Sequence, residues 1–508
     1  MKFSMRQNAV FEAFKKPRAR VAVNACPGSG KTTTLVGTVN ECVEPMDFYD
    51  TMATCFNVDI RDVMIQKFPA GTNVWNIHKI GKSVCDKHLL NGRHAGRDWV
   101  KPYKYRNIIE EIGFERGWDK TDDMGKFIAA EKALGMAQLT LCDVPDIAAF
   151  SGMCADYDVS VNGDIYEIQS VVKEALVEGV RVAKKGVCID FNDMIYLPIA
   201  LNMQIPTYSN VLIDEGQDLN AAQSELILGL CREDSRILLV GDPRQSIYGF
   251  AGAAQDAFHN VKNRIEGLEL PLDICYRCGS DIVAYADQFY PGTMVAADSA
   301  HKGIVDSISY KDIAAKVSAR RGDMILSRVT APLVALAFEL ISQRIPAKIK
   351  GKDIMASITG LAKLALKGKK PWGELTLHLD AYVMSESMRL RAHPNPATEA
   401  KIANLQDRAE SLEILSNAAL CDNVNSLESF GKWIHQFFDE KITGCVTLST
   451  VHKSKGTEAD TVFILDPSNM PHPMAKTDNQ RAQETNIQWV AFTRAINQEF
   501  LVSPKPRN

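Results

Sequence analysis

The segment Arg20-Val-Ala-Val-Asn-Ala-Cys-Pro-Gly-Ser-Gly-Lys-Thr-Thr-Thr34 carries an apolar run into a glycine-bearing turn that ends on Gly-Lys-Thr at a helix start. Those residue types at that spacing make a cradle for phosphate. The backbone N–H groups of Gly28, Ser29 and Gly30 can point inward, the helix beginning near Lys31 adds its positive end, and the Lys31 ammonium can reach the β- and γ-phosphates of a nucleoside triphosphate. Thr32 then offers a hydroxyl to Mg²⁺. The full pattern places a glycine five positions before the Gly-Lys pair, and here Ala25 stands there.

Two further stretches end in polar groups. Val211-Leu-Ile-Asp-Glu-Gly-Gln-Asp218 closes an apolar strand with three carboxylates and an amide, a grouping that is costly to bury unless it serves a metal or a proton transfer. Asp214 suits Mg²⁺, and Glu215 suits the attacking water. Ile237-Leu-Leu-Val-Gly-Asp-Pro-Arg-Gln-Ser-Ile-Tyr-Gly-Phe250 repeats the arrangement. Gln245 is placed to sense a γ-phosphate, while Tyr248 and Phe250 offer ring faces to unstacked bases, an interaction worth about 1–3 kcal/mol per base.

The elements that must position these residues are short apolar strands at Val21 to Ala25, Thr51 to Phe56, Val211 to Ile213, Ile237 to Val240, Val446 to Ser449 and Val462 to Leu465, with helical stretches between them. Such alternation predicts parallel α/β sheets whose ligands gather at the carboxyl ends of the strands. From about 83 to 190 and again from about 354 to 440, charged and apolar residues recur at helical spacing, so each stretch reads as an inserted helical block. In the second, Lys363, Lys367, Lys369 and Lys370 read as a solvated face rather than a duplex-binding patch.

A chain of 508 residues with 46% hydrophobic content exceeds one core and requires several domains. No apolar run approaches the roughly 18 residues of a membrane span, and the amino terminus lacks the apolar core of a signal peptide. A cytoplasmic location follows as the expectation, the host cytoplasm if the chain is phage-encoded. The net charge of −4 argues against a nonspecific polycation but leaves room for local basic grooves. Twelve cysteines lie at irregular intervals, and Cys275-Tyr-Arg-Cys278 is the sole Cys-x-x-Cys, with no second pair to complete a zinc site; reduced thiols are expected.

The order of these segments resembles a superfamily 1A DNA helicase of the UvrD/Rep type. Met5-Arg-Gln7 resembles the adenine-reading glutamine motif, the P-loop is motif I, Thr54-Cys-Phe-Asn57 resembles motif Ia, and Trp75-Asn-Ile-His-Lys79 resembles the Thr-x-His segment. Asp214 to Asp218 resembles motif II, Gly241 to Phe250 motif III, Cys275-Tyr-Arg277 motif IV, Thr447 to Glu458 motif V and Trp489 to Ala495 motif VI.

The resemblance implies two RecA-like P-loop NTPase domains, each with a mainly helical insertion: 1–82 plus 190–265 with insertion 83–189, and 266–353 plus 441–508 with a short insertion at 354–440. It implies that ATP and Mg²⁺ are bound, with Gln7 and Tyr276 on the adenine, Pro27, Gly28, Ser29, Gly30, Lys31, Thr32 and Thr33 around the phosphates, Glu458 on the ribose, and Thr32 and Asp214 on the metal. Lys31, Asp214, Glu215, Gln245, Arg277 and Arg494 then form the catalytic set, the two arginines neutralising charge on the transferring phosphoryl group. Phe56, Asn57, His78, Tyr248, Phe250 and His452 resemble the family's single-strand contacts.

The implied activity is ATP-driven movement on single-stranded DNA, 3′→5′, with unwinding at single-strand/duplex junctions; a translocase that displaces bound proteins without unwinding is the alternative. A nucleotide-gated binding module without hydrolysis is a third reading, opposed by the complete catalytic set. Replication or repair proteins are the expected partners and a monomer the expected state without ligand. Three positions depart from the family pattern: Ala251 and Thr34 replace frequent arginines, and Cys275 replaces asparagine.

Overall fold

The computed structural model describes residues 3–505 except 56–57, 91–98, 121, 158, 160, 162–163, 248, 250–251, 253–255, 367–370, 393–397, 439–442 and 476–477. The chain divides into two units, Met1–Asp273 and Ile274–Asn508. In the first, β1 (Arg20–Ala25), β2 (Thr51–Cys55), β3 (Asn73–Asn76), β4 (Tyr208–Ile213), β5 (Cys231–Gly241) and β6 (Leu268–Leu272) form one parallel sheet in the order β3-β2-β4-β5-β1-β6. Its central strands read as unbroken apolar runs because both faces are covered. Val21, Val23, Leu212, Leu238 and Val240 meet Val10, Phe14, Leu35 and Val39 on one face. Ala22, Val211, Ile213, Ile237 and Leu239 meet Ile77, Ile195, Leu226 and Phe258 on the other.

The pairing of β6 with β1, from Val21↔Leu268 to Ala25↔Leu272, carries the first unit past 266, where the second RecA-like domain was expected to begin. That boundary is corrected by an edge strand: Leu268-Glu-Leu-Pro-Leu272 is largely exposed, and it holds a proline of the kind only an edge tolerates, so it carried no buried-strand pattern.

Within the first helical block, Lys104–Glu115, Met124–Thr140, Ile147–Asp156 and Ile165–Lys184 enclose their own core around Ile109, Leu134, Phe150 and Val172. A buried polar cluster ties this block to the sheet side of the unit. Lys104 Nζ pairs with Asp193 and donates to Gly179 O at 2.8 Å, Tyr105 Oη donates to Asp193 Oδ1 at 2.8 Å, and Gln138 Nε2 donates to the same oxygen at 3.1 Å. Asp193 opens the helix Asp193–Ala200, which packs so tightly on Ile77–Leu89 that a Cβ on Gly81 would fall 1.8 Å from Met194 O.

In the second unit, β7 (Ile274–Cys275) and β8 (Val295–Ala296) pair apart from a parallel sheet made of β9 (Ile304–Ile308), β10 (Met324–Ser327), β11 (Ala347–Ile349), β12 (Val446–Thr450), β13 (Ala459–Leu465) and β14 (Ala495–Val502). Its order is β11-β12-β10-β13-β14-β9. The second helical block, Lys352–Leu366 to Leu427–Ile434, buries Leu361, Leu375, Leu412 and Phe430 in the same core as Ile325, Leu448 and Phe463 of this sheet. Among the described residues no helix is long and apolar enough to cross a membrane.

Two buried ionisable sites make opposite predictions. Lys104 and Asp193 are 1% and 0% exposed at the side chain, so removing one partner strands the other in a low dielectric, at a cost of about 3–5 kcal/mol. Lys104→Met is expected to lower the urea midpoint of the full chain accordingly, and adding Asp193→Asn to recover part of the loss. Glu499, in β14 beside Val305 and Val462, is fully buried with no hydrogen-bond partner on either carboxyl oxygen among the described residues, and burial keeps it protonated well above the usual carboxylate range. Its unfolded counterpart ionises near 4.5, so unfolding releases a proton and stability falls as pH rises above that value. Glu499→Gln is expected to raise the Tm at pH 8 by about 2–4 °C for each kcal/mol recovered, with the gain vanishing near pH 4; thermal scans across pH check it.

Candidate functional site

The carboxyl ends of β4, β5 and β1 are neighbours, and each runs straight into one of the polar segments. After β1, Gly28 (φ 70°) and Gly30 (φ 83°) take the left-handed conformation that suits glycine, whereas Ala25 ends the strand without a positive φ. The first glycine of the P-loop pattern is therefore dispensable here. Ser29 Oγ donates to Cys26 O at 2.7 Å and holds the turn. Gly30 caps the helix Lys31–Cys42 with no side-chain hydrogen bond, which leaves first-turn N–H groups for an anion.

Gln7 is nearly buried and touches this loop. Its Nε2 donates to Thr34 Oγ1 at 3.2 Å, Thr34 Oγ1 donates to Gly30 O at 3.0 Å, and Gln7 Oε1 accepts from the Ser4 N–H at 3.0 Å. Thr34, a departure from the family pattern, thus joins the amino-terminal helix to the P-loop. Pro27 is buried, while Lys31, Thr32 and Thr33 stay partly exposed along the helix start.

Asp214 is 6% exposed, and its carboxyl is pushed up to about 7 by burial first and by Glu215 next, with Lys31 opposing. Thr32 and Asp214 supply hard oxygen ligands of the kind Mg²⁺ takes alongside nucleotide phosphates, and a cation would relieve the crowding of negative charge that lifts Asp214. Glu215 adopts φ 51°, its N–H donating to Asp214 Oδ1 at 3.0 Å.

From Glu215 a hydrogen-bond path runs across the sheet. Gln217 Nε2 donates to Glu215 Oε2 at 2.5 Å, Gln217 Oε1 accepts from the Asp242 N–H at 3.0 Å, and Asp242 Oδ2 accepts from Gln245 Nε2 at 2.8 Å. Arg244 continues it from Asp242 Oδ1 (2.7 Å) to Asn24 Oδ1 of β1 (2.9 Å). The strands approach closely at this point, since a Cβ on Gly216 would lie 2.4 Å from Leu239 Cδ1 and one on Gly241 2.6 Å from Gln217 Oε1.

In the second unit, Arg277 Nη1 donates to Glu458 Oε2 at 2.7 Å and its Nη2 to Thr493 O at 2.9 Å. Arg494, 2% exposed, donates to Val490 O (2.9 Å), Thr457 O (3.2 Å) and Thr493 Oγ1 (3.1 Å). Thr493 therefore braces both arginines. Tyr276 is 51% exposed on the bend after β7. His452 opens the turn after β12, and burial, reinforced by the Arg328 guanidinium, lowers it to about 4, so it is neutral at pH 7. His78, at the start of Ile77–Leu89, is lowered by burial as well. Burial disfavours the charged imidazole at both positions. Phe56, Asn57, Tyr248 and Phe250, with Ala251, Lys367, Lys369 and Lys370, lie outside the described residues.

Sequence reasoning missed Gln217, Asp242, Asn24, Thr34 and Thr493 as site residues. All five stand inside recognised segments, but their contacts are with partners far along the chain, which spacing does not encode.

Residues 137–266 match the UvrD/REP helicase N-terminal domain, and residues 325–503 match the UvrD-like helicase C-terminal domain. The chain belongs to the UvrD-like helicase family. Among similar proteins, the F-box DNA helicase protein 1 of Schizosaccharomyces pombe is 27% identical over 57% of this chain and 33% of its own length. A probable DNA helicase of Mycoplasma pneumoniae is 24% identical over 58% and 43%, and DNA helicase II of Escherichia coli 36% identical over 16% and 11%. The UvrD-like chain thus matches less than half the length of each of these relatives. Asp214, Glu215 and Gln245 fall in the first matched region and Glu458 and Arg494 in the second, while the P-loop precedes both.

Thr34→Val removes two hydrogen bonds that fix Gln7 on the loop, and nucleotide affinity is expected to fall about tenfold, the order of two net hydrogen bonds. Titration with a fluorescent ATP analogue checks it, and an unchanged Kd refutes the role.

Proposed function

We propose that this chain is an ATP-dependent DNA helicase that moves on single-stranded DNA and opens duplex at a junction. The observation that carries the reading is the continuous path Glu215–Gln217–Asp242–Gln245, which links the residue suited to orienting water with the residue suited to sensing the γ-phosphate. Lys31 and the first-turn N–H groups would hold the phosphates, and Thr32 and Asp214 would hold Mg²⁺, which would supply positive charge against the phosphates. Glu215 would orient the attacking water. Arg277 and Arg494 of the second unit would stabilise the transferring phosphoryl group, with Tyr276 on the adenine and Glu458, beside Arg277, on the ribose.

His78 and His452, with Phe56, Asn57, Tyr248 and Phe250, are proposed to meet the tracked strand. The energetics are matched: a base-pair step costs about 1.4 kcal/mol of stacking, and an aromatic platform returns about 1–3 kcal/mol per base. Melting and rebinding nearly balance, so ATP supplies direction, 3′→5′ by family resemblance. The substrates would be single strands and single-strand/duplex junctions, and the partners proteins of replication or repair.

The test is ATPase activity with and without single-stranded DNA, followed by strand displacement on duplexes with 3′ or 5′ tails. Strong stimulation by DNA is expected, with turnover abolished in Lys31→Ala and kcat reduced about 10³-fold in Arg494→Ala, the low end of what a positioned arginine contributes. Unwinding only from 5′ tails contradicts the polarity. Protein displacement without unwinding selects the translocase, and absence of DNA-stimulated turnover removes both motor readings.

A further inference from the structure

Cys275 and Cys278 stand where the second unit positions its arginines, yet the proposed ATPase uses neither thiol. Cys275 ends β7, and the bend at 276–278 returns the chain so that the Cys278 N–H lies 3.5 Å from Cys275 Sγ. The adjoining Cys278 side chain lowers Cys275 below the ordinary thiol range, helped by the N–H groups of Cys278 and Arg277 and the Arg277 charge, against burial. Cys278 is driven the other way, first by Cys275 and then by burial. Cys55, Cys154 and Cys231 are pushed up to about 12 by burial, so they lack the thiolate character of Cys275.

The pair is wired to the arginines. Cys278 Sγ donates to Thr493 O at 3.9 Å, the same oxygen that accepts Arg277 Nη2 at 2.9 Å, and Thr493 Oγ1 receives Arg494. On the carboxyl side the backbone cannot yield: the Gly279 N–H donates to Ile496 O at 2.9 Å, and a Cβ on Gly279 would lie 2.6 Å from Gly303 Cα. A disulfide requires an S–S distance near 2.04 Å, so closing one here draws Cys278 Sγ off Thr493 O, and the strain falls on Tyr276 and Arg277. Both sulfurs are buried, while Tyr276, between them in the chain, is half-exposed, so a small reagent reaches them only by displacing the 276–278 bend.

We propose that Cys275 and Cys278 form a reversible redox site, oxidised by a low-molecular-weight disulfide of the glutathione class, whose closure disturbs the Arg277–Thr493–Arg494 brace and slows ATP turnover. The Cys275 thiolate attacks one sulfur of the small disulfide and expels one thiolate. The Cys278 thiol, losing its proton, then attacks Cys275 Sγ and expels the second. Two protein thiols become one disulfide, the small disulfide becomes two thiols, and two electrons pass to it.

The activity arm rests on the proposed ATPase; the chemical arm does not. The full chain is incubated with glutathione disulfide, alkylated and peptide-mapped. An intramolecular Cys275–Cys278 disulfide is expected, reversed by dithiothreitol, and Cys278→Ser is expected to stop at the glutathione adduct on Cys275. Absence of the linked peptide in the wild type, or of the adduct in Cys278→Ser, overturns the site whatever the ATPase result. Oxidation should lower DNA-stimulated turnover at least about tenfold in the wild type and less than about twofold in Cys275→Ser, a fraction of an arginine finger's 10³ to 10⁵. Equal losses in both, or disulfide formation with unchanged turnover, overturn the control of turnover. A reduced protein without DNA-stimulated ATPase refutes the motor reading alone.

Discussion

The Gln217 side-chain amide reaches Glu215 at 2.5 Å and the backbone of Asp242 at 3.0 Å, and it fits only because Gly241 leaves no Cβ in its way. That close approach places the acidic end of β4 and the polar end of β5 in one hydrogen-bonded unit, with β1 and its P-loop alongside. A buried amide that donates at one end and accepts at the other is costly unless both ends are satisfied. The surrounding residues are accordingly determinate in position: Asp242 holds Gln245 and Arg244, and Arg244 reaches back to Asn24. The glycines in these segments serve packing between strands as much as turn formation.

Charge is handled differently in the two units. In the first, carboxylates crowd at a strand end and Lys31 only partly offsets them, which lifts Asp214 and suits the place to a divalent cation. In the second, Arg494 is nearly buried and held by carbonyl and hydroxyl oxygens, while Arg277 has a half-exposed carboxylate, Glu458, as partner. Neutral acceptors orient the Arg494 guanidinium without cancelling its charge. Lys104 with Asp193 and the lone Glu499 mark the limits of such burial, the one compensated by its counter-charge and three further hydrogen bonds, the other by taking up a proton.

Much of the architecture was legible in the residues. Buried parallel strands advertise themselves as short apolar runs: the expected strands at Val21, Val211, Ile237, Val446 and Val462 fall within β1, β4, β5, β12 and β13, and the one expected from Thr51 to Phe56 coincides with β2 up to Cys55. Strands with exposed residues, such as β6 and β9, were invisible because an edge strand lacks that signal. The second helical block reads as an insertion by its periodicity, but its core is continuous with the sheet, since amphipathic helices declare that they bury a face and not what they bury it against.

By itself the sequence determined the α/β class, the phosphate loop, the acidic strand end and the family, because each depends on residues adjacent in the chain whose local geometry does the chemistry. The tertiary structure alone decided that Ala25 needs no special backbone conformation, that Thr34 links Gln7 to the loop, that Gln217 bridges two strands, and that Thr493 braces both arginines beside a pair of thiols. Those contacts join residues far apart in the chain, such as Arg244 with Asn24 and Arg277 with Thr493. A hydrogen bond depends on distance and direction in space, and a linear spacing fixes neither once the partners sit on different strands.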